Sequence, residues 1–212
     1  MRDLAIFARI LCFCFLVLVA FEQESYAQFY EDTPMSISDE DFGGRMPSVG
    51  AGKGFAIIWH KVDTIWFSRL DEAGNIVVPK KEAYTPPVNM LSLSKKVIYN
   101  GKNFVTFFTT LKGKHTLHSI VIKPNGTKKK VTVVDDTKKL NRDFVPIWTG
   151  SEIALIYSKI QDPEVINYLR LDAEGVPISA PVPIKGVKAD IFLSCVNAAW
   201  DGKYFGVVWV KD

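Results

Sequence analysis

Cysteine is nearly absent from this chain. Three occur in 212 residues, and Cys12 and Cys14 sit inside an apolar run close to the N-terminus. The third, Cys195, lies in the apolar stretch Ile191-Phe192-Leu193-Ser194-Cys195-Val196, the setting of a buried small hydrophobe rather than a reactive thiol. Net charge is also low: 26 Lys and Arg against 23 Asp and Glu leave +3, too little to imply a nucleic-acid partner. The sequence contains no HExxH, no CxxC pair and no Asp-x-Asp-x-Asp-Gly loop, so the common zinc and calcium signatures are missing. Histidine occurs three times. His115 and His118, three apart on a strand, face opposite sides and do not share a ligand. His60 has no partner nearby in sequence. No long segment carries helical periodicity. On these grounds no catalytic, cofactor-binding or metal-ligating residue is assigned, and no cofactor is expected.

What is present begins with a leader. Arg2 and Arg9 precede an apolar run from Ile10 to Phe21. Then come Glu22-Gln23-Glu24 and Ser25-Tyr26-Ala27, with small residues at the two positions a signal peptidase reads. A membrane span needs about 20 apolar residues, and this run falls short. It therefore reads as a signal peptide over residues 1–27, cleaved before Gln28. The expected location is secreted, periplasmic or cell-surface, with no stable membrane span after cleavage. The mature chain then carries +4 and Cys195 as its one cysteine. An intramolecular disulfide is excluded, so packing alone must hold the fold. Hydrophobic residues at 48% and charged residues at 23% are the composition of a globular domain.

The body of the chain is repetitive. Four segments align without gaps: Gly52-Lys53-Gly54-Phe55-Ala56-Ile57-Ile58-Trp59, Gly101 to Phe108, Gly150 to Tyr157, and Gly202 to Trp209. Their first glycines are 49, 49 and 52 residues apart. Self-similarity at such a period signals stacked structural units. A second landmark, a tight turn ending in Gly74, Gly126 or Gly175, follows the first three glycines by 22, 25 and 25 residues. Glycine and Asp or Asn at both landmarks are turn chemistry. The strand after each first glycine is apolar on both faces, which predicts a sheet covered on both sides. One aligned column stays small (Ala56, Val105, Ala154, Gly206) and suits close sheet-to-sheet approach. Another stays aromatic (Trp59, Phe108, Tyr157, Trp209) and suits an inter-sheet anchor. First strands are expected at Met46–Gly50, Lys95–Tyr99, Phe144–Trp148 and Val196–Trp200. Third strands are expected at Thr64–Leu70, His115–Ile122 and Glu164–Leu171. More polar outer strands are expected at Asn75–Pro79, Thr127–Val134 and Val176–Ile184, where prolines 79, 177, 181 and 183 suit an edge.

Four short strands per unit at this period predict an all-β chain of tandem four-stranded antiparallel blades of a β-propeller, about three and a half blades in an incomplete or open ring. The pattern Trp200-Asp201-Gly202-x-Tyr204-x-x-Val207-x-Trp209, with Arg69-Leu70-Asp71-x-x-Gly74 and Arg170-Leu171-Asp172-x-x-Gly175, resembles the repeat of secreted and cell-surface bacterial β-propeller proteins. The resemblance covers roughly residues 45–212. The second copy departs from it, with Val121-Ile122-Lys123 in place of Arg-Leu-Asp. The expected layout is a leader (1–27), an acidic linker or partial blade strand (28–44), and repeats at 45–93, 94–142 and 143–194 with a partial one at 195–212. An open arc of this kind exposes sheet edges and pairs through them.

The resemblance implies an interaction platform, with an unidentified protein or glycan surface as partner and edge-to-edge self-association as a further outcome. The expected function is a non-catalytic secreted or cell-surface binding scaffold. The alternative is a carbohydrate-active propeller enzyme, sialidase-like or lyase-like. Ser68 stands three residues before Asp71, where the sialidase Asp-box wants two, and the turn aromatic is missing. A propeller glycosidase needs paired carboxylates, yet the first-strand column Val49, Ile98, Ile147, Ala199 offers no acid. Lysines gather at Lys112, Lys114, Lys123, Lys128-Lys129-Lys130 and Lys138-Lys139. They read as a solvated outer strand that blunts an edge, or as a patch for an anionic surface. Asn125-Gly126-Thr127 is a formal glycosylation sequon.

Overall fold

The computed structural model describes residues 48–61, 63–86, 91–111, 115–136, 140–159, 165–184 and 194–210, and all the regular structure among them is strand. The first sheet holds β1 (Ser48–Gly50), β2 (Phe55–Lys61), β3 (Thr64–Leu70) and β4 (Ile76–Tyr84). The second holds β5 (Leu91–Tyr99), β6 (Phe104–Leu111), β7 (His115–Ile122) and β8 (Lys128–Asp135). In the third are β9 (Leu140–Trp148), β10 (Ile153–Lys159), β11 (Val165–Leu171) and β12 (Val182–Pro183); β13 (Ser194–Trp200) and β14 (Phe205–Val210) form the fourth. Strands pair in chain order within every sheet. The fold is therefore all-β, with three four-stranded antiparallel blades and a two-stranded one. The first strands of successive blades are neighbours, β1 with β5, β5 with β9 and β9 with β13. The blades make an open series rather than a closed ring.

Register explains the continuous apolarity of the second strands. Residues directly opposite in an antiparallel pair share a face. In β6, Phe104 and Phe108 face the first blade, where they meet Ala56, Ile58, Ile65 and Phe67. Val105 and Phe107 of the same strand face the third blade and meet Ile153, Leu155, Leu169 and Leu171. A third, smaller cluster joins Ile156 and Ile166 to Val196 and Val207. Each of these large side chains contributes about 1.5–3 kcal/mol when fully withdrawn from water, so the core is three inter-blade layers rather than one centre. The small column is buried at Ala56, Val105 and Ala154, and the aromatic column at Trp59, Phe108 and Tyr157. Both columns lose their cover in the last blade, where Gly206 and Trp209 are exposed.

The outer strands depart from expectation in two ways. The first extends to Tyr84 rather than stopping at Pro79, because Pro79 sits on an edge where its missing N–H costs no ladder bond. The third shrinks to Val182–Pro183 plus a single bridge between Leu171 and Pro177. Pro177, Pro181 and Pro183 donate nothing; outside the short Tyr168–Val182 ladder, the Ile178 and Ile184 N–H groups reach the Arg170 and Ile166 carbonyls. The column Val49, Ile98, Ile147, Ala199 pairs with Ala56, Val105, Ala154 and Gly206, and the first three pack, partly exposed, between blades.

Candidate binding surfaces

The Asp and Asn side chains Asp71, Asn100, Asp172 and Asp201 of the turns are consumed by the fold. Asp71 Oδ1 accepts the N–H groups of Ala73 and Asn75, and Asp71 Oδ2 accepts from Asn75 Nδ2. Asp172 Oδ1 accepts in the same way from Glu174 and Val176. At the other landmark, Asn100 Oδ1 accepts from Lys102 and Asn103, and Asp201 Oδ1 from Lys203 and Tyr204. These bonds to the ionised form hold the Asp71 and Asp201 carboxyls below their usual range, led by Asn75 and by the Tyr204 amide respectively. The second-landmark turns also clamp blades together. Gly175 carbonyl accepts from Ser119 Oγ at 2.8 Å, and Asn100 Nδ2 reaches Ala173 carbonyl at 2.7 Å. A Cβ on Gly175 would lie 2.8 Å from Ser119 Oγ, in a backbone at φ +78°. The glycine is there for close approach as well as for the turn.

The lysine cluster is partly tied down. Lys128 pairs with Glu82 of the first blade at 3.0 Å, and Lys129 pairs with Glu174 of the third. Such exposed pairs contribute about 0–1 kcal/mol each, and they tie β8 to the outer strand of the first blade and to a turn of the third. Lys112, Lys114, Lys138 and Lys139 lie outside the described residues, as does the Cys195 side chain. Asn125 of the sequon is exposed, with its Oδ1 taken by the Thr127 N–H.

Buried polar groups collect where the second strands end. His60 closes β2, and its Nδ1 lies 2.7 Å from Lys95 Nζ on β5. The ammonium donates to that nitrogen, so His60 is neutral with its proton on Nε2. Lys95 is 6% exposed, and burial lowers its pKa to about 8. Burial, then the Lys95 charge, lowers His60 as well. His118 stacks on Phe108 at 5.3 Å and places Nε2 2.8 Å from Thr110 Oγ1, while its Nδ1 is buried without a partner. Burial lowers its pKa too. One blade further on, Tyr157 donates its hydroxyl to Asp135 Oδ2 at 2.6 Å, and burial followed by Asp135 pushes the phenol up.

Sequence reasoning missed the Lys95–His60 pair, although a signal was available. Six residues before each first glycine stand Met46, Lys95, Phe144 and Val196, and a lysine in an apolar column is a buried charge awaiting a partner. Among the described residues, no three His, Cys, Asp or Glu side chains are grouped to hold a metal ion. No helix among them is long and apolar enough to cross a membrane.

An open apolar surface lies along the last blade. The second strands β2, β6 and β10 are hydrogen-bonded on both edges, whereas among the described residues β14 pairs with β13 alone. Beside its free edge is a groove of about 460 Å³ lined by Ile156, Tyr168, Val182, Pro183, Ile184, Phe205 and Val207. In the preceding layer the equivalent volume is filled by third-strand residues Leu169 and Leu171, packed on Val105, Phe107 and Leu117. Here no strand among the described residues fills it, and Tyr168 and Phe205 meet across it with ring centroids 5.6 Å apart. In comparisons with known proteins the chain matches no family model, no curated protein and no solved structure.

Proposed function

We propose that this chain is an exported, non-catalytic repeat scaffold of the β-propeller type, which binds an extended segment of a protein partner along β14. One observation carries the reading. A second strand with one edge unpaired among the described residues stands beside an apolar groove of about 460 Å³, at the place a third strand occupies in the earlier blades. Main-chain bonds to the edge supply affinity, and alternate side chains in the groove supply selectivity. The guest is a strand with apolar residues at every second position, as in Leu169-x-Leu171 of β11. The leader over residues 1–27 supports export. A glycosidase needs two carboxyl groups about 5–9.5 Å apart around one cleft, and neither this groove nor the cleft between the first two blades has an acidic residue in its lining.

A labelled peptide with the Val165–Leu171 sequence and a lysine at each end tests the reading by fluorescence anisotropy with the mature chain. Saturable one-to-one binding is expected, lost in Val207→Lys, which puts a charge into the groove. It should survive Val208→Lys, on the opposite, exposed face. Equal binding to both variants, or none to the wild type, would overturn the proposal. A dimer whose formation blocks the peptide would reassign the edge to self-association.

A further inference from the structure

The two arginines of the repeat motif are in different electrical situations. Arg170 and Arg69 occupy the same place, each one residue before the motif leucine, and each is paired across the sheet with the small column, at Ala154 and Ala56. Arg170 is satisfied. Its Nε lies 2.9 and 3.1 Å from the two Glu152 carboxylate oxygens, and its Nη2 lies 2.6 Å from Oε2. The first blade has Gly54 where the third has Glu152, each two residues after the first glycine. That glycine has no room for a side chain, since a Cβ would sit 2.2 Å from the Leu70 carbonyl oxygen. Arg69 Nε is accordingly buried with no hydrogen-bond partner. The second blade resolves the matter differently and has Val121 in the arginine column.

Arg69 does not face protein alone. It lines a cleft of about 390 Å³ between the first two blades, walled by Val77, Val78, Pro79 and Pro124, with Lys81 and Asn125 beside it. Lys81 Nζ donates to the Asn125 carbonyl at 2.8 Å and keeps its charge at the rim. Two cations and no carboxylate line this space. A volume near the lower end of the ordinary ligand-pocket range fits one six-membered ring and a substituent.

We propose that the Arg69 cleft binds a small organic carboxylate, of the size of a uronic acid, held by two hydrogen bonds from the outer Nη groups of the guanidinium. The carboxylate takes the two outer Nη donors end-on, which a fork of this shape matches bidentately, while Nε stays covered. Lys81 adds charge from the rim, and the valine and proline walls pack against the ring. This site is independent of the β14 groove and survives the failure of that proposal.

The test is an NMR titration of the mature chain at pH 6.5, following the side-chain Nε–H signal that disappears in Arg69→Met. Glucuronate is the probe, with glucose as the same ring lacking the carboxylate and inorganic sulfate as a charge of different shape. Saturable one-to-one shifts with glucuronate are expected, weakened severalfold by 0.5 M salt. Backbone amide signals around Pro124–Asn125 should report at least a tenfold loss of affinity in Arg69→Met and a few-fold loss in Lys81→Met, a variant that leaves the blade interior untouched. Glucose should not shift the Arg69 signal. The proposal is overturned by an absent response to glucuronate, by equal binding of glucose, by sulfate binding as tightly as glucuronate, or by undiminished affinity in Arg69→Met with native circular dichroism.

Discussion

Replacing Lys95 with methionine, the residue that occupies the same column in the first repeat, should remove a pH dependence that this one side chain imposes on the fold. Burial lowers the Lys95 ammonium from 10.5 to about 8. A tenfold change in proton affinity is worth about 1.4 kcal/mol, so below pH 8 the charged form costs the fold about 3 kcal/mol relative to a neutral side chain. The sign follows from linkage. Between pH 8 and 10.5 the unfolded chain holds this proton and the folded one has released it, so stability rises with pH. Over pH 7.5 to 9.5 the gain is about 2 kcal/mol. Methionine deletes that gain and the low-pH cost behind it, but it also deletes the 2.7 Å bond to His60 Nδ1, and a buried imidazole left short of a partner costs about 1–3 kcal/mol. The two nearly cancel at pH 7.5, so Lys95→Met should be within about 2 kcal/mol of wild type there and fall behind as pH rises. Urea unfolding of both proteins at pH 7.5, 8.5 and 9.5 measures the difference, in which background titrations of tyrosines and other lysines cancel. Parallel stability curves would refute the reasoning. A loss above about 4 kcal/mol at pH 7.5 would do the same, because it would mean that the ammonium is held by an opposite charge.

Four other outcomes are expected. Gly175→Ala should cost about 2–4 kcal/mol, about 1 from its left-handed backbone and the rest from the 2.8 Å approach to Ser119 Oγ; Gly150→Ala, at φ +101° with open space around its Cβ, should cost only the backbone part in the same chemical unfolding assay. His60 and His118 are held neutral by burial, so the unfolded chain binds protons first and stability should fall as pH drops below about 6.5, a fall that His118→Gln reduces in thermal melts. Tyr157→Phe should cost about 1–3 kcal/mol by removing the hydroxyl that Asp135 accepts at 2.6 Å, with the loss read from the urea midpoint. Glu152→Gln should weaken the fork to Arg170 with a change in urea midpoint that is small, as befits an exposed pair, and should erase the part of the acid-side stability loss that comes from the lowered Glu152 pKa as pH falls through the carboxylate range.

Much of the fold is legible in the sequence because its signals are local and repeated four times. The turn glycines, the apolar second strands and the small and aromatic columns each follow from one residue's own conformational needs or from its burial. The outer strand of the third blade is less legible, because proline content predicts an edge without saying that so little ladder survives at Val182–Pro183. Cross-strand pairing is less legible still. Motif spacing aligns Val49, Ile98 and Ile147 in one first-strand column, and only the pairing with Ala56, Val105 and Ala154 assigns them to the inter-blade layer. Register of that kind depends on which residues sit opposite across a turn, which the spacing of motifs does not fix to a single residue. Lys95 and Arg69 escape for another reason. Their partners are set by neighbouring blades and by the absence of a side chain at Gly54, and neither fact is local.

Repetition makes these exceptions informative. Three copies of one unit face nearly the same geometric problem, so a position where one copy breaks the column is a difference at constant backbone. Thr106, buried among apolar neighbours with its hydroxyl unpartnered, breaks the Ile57, Leu155, Val207 column and gains nothing visible from it. Arg69 breaks a pairing rather than a column, since it keeps the cation that Arg170 has and loses the carboxylate. A buried unpaired N–H costs about 1–3 kcal/mol, and the second blade shows that this scaffold accepts valine at that place. The fold alone therefore does not require Arg69. An anion from outside the chain, held by the Nη groups, is the simplest partner that would supply to the first blade the counter-charge that the third blade provides internally.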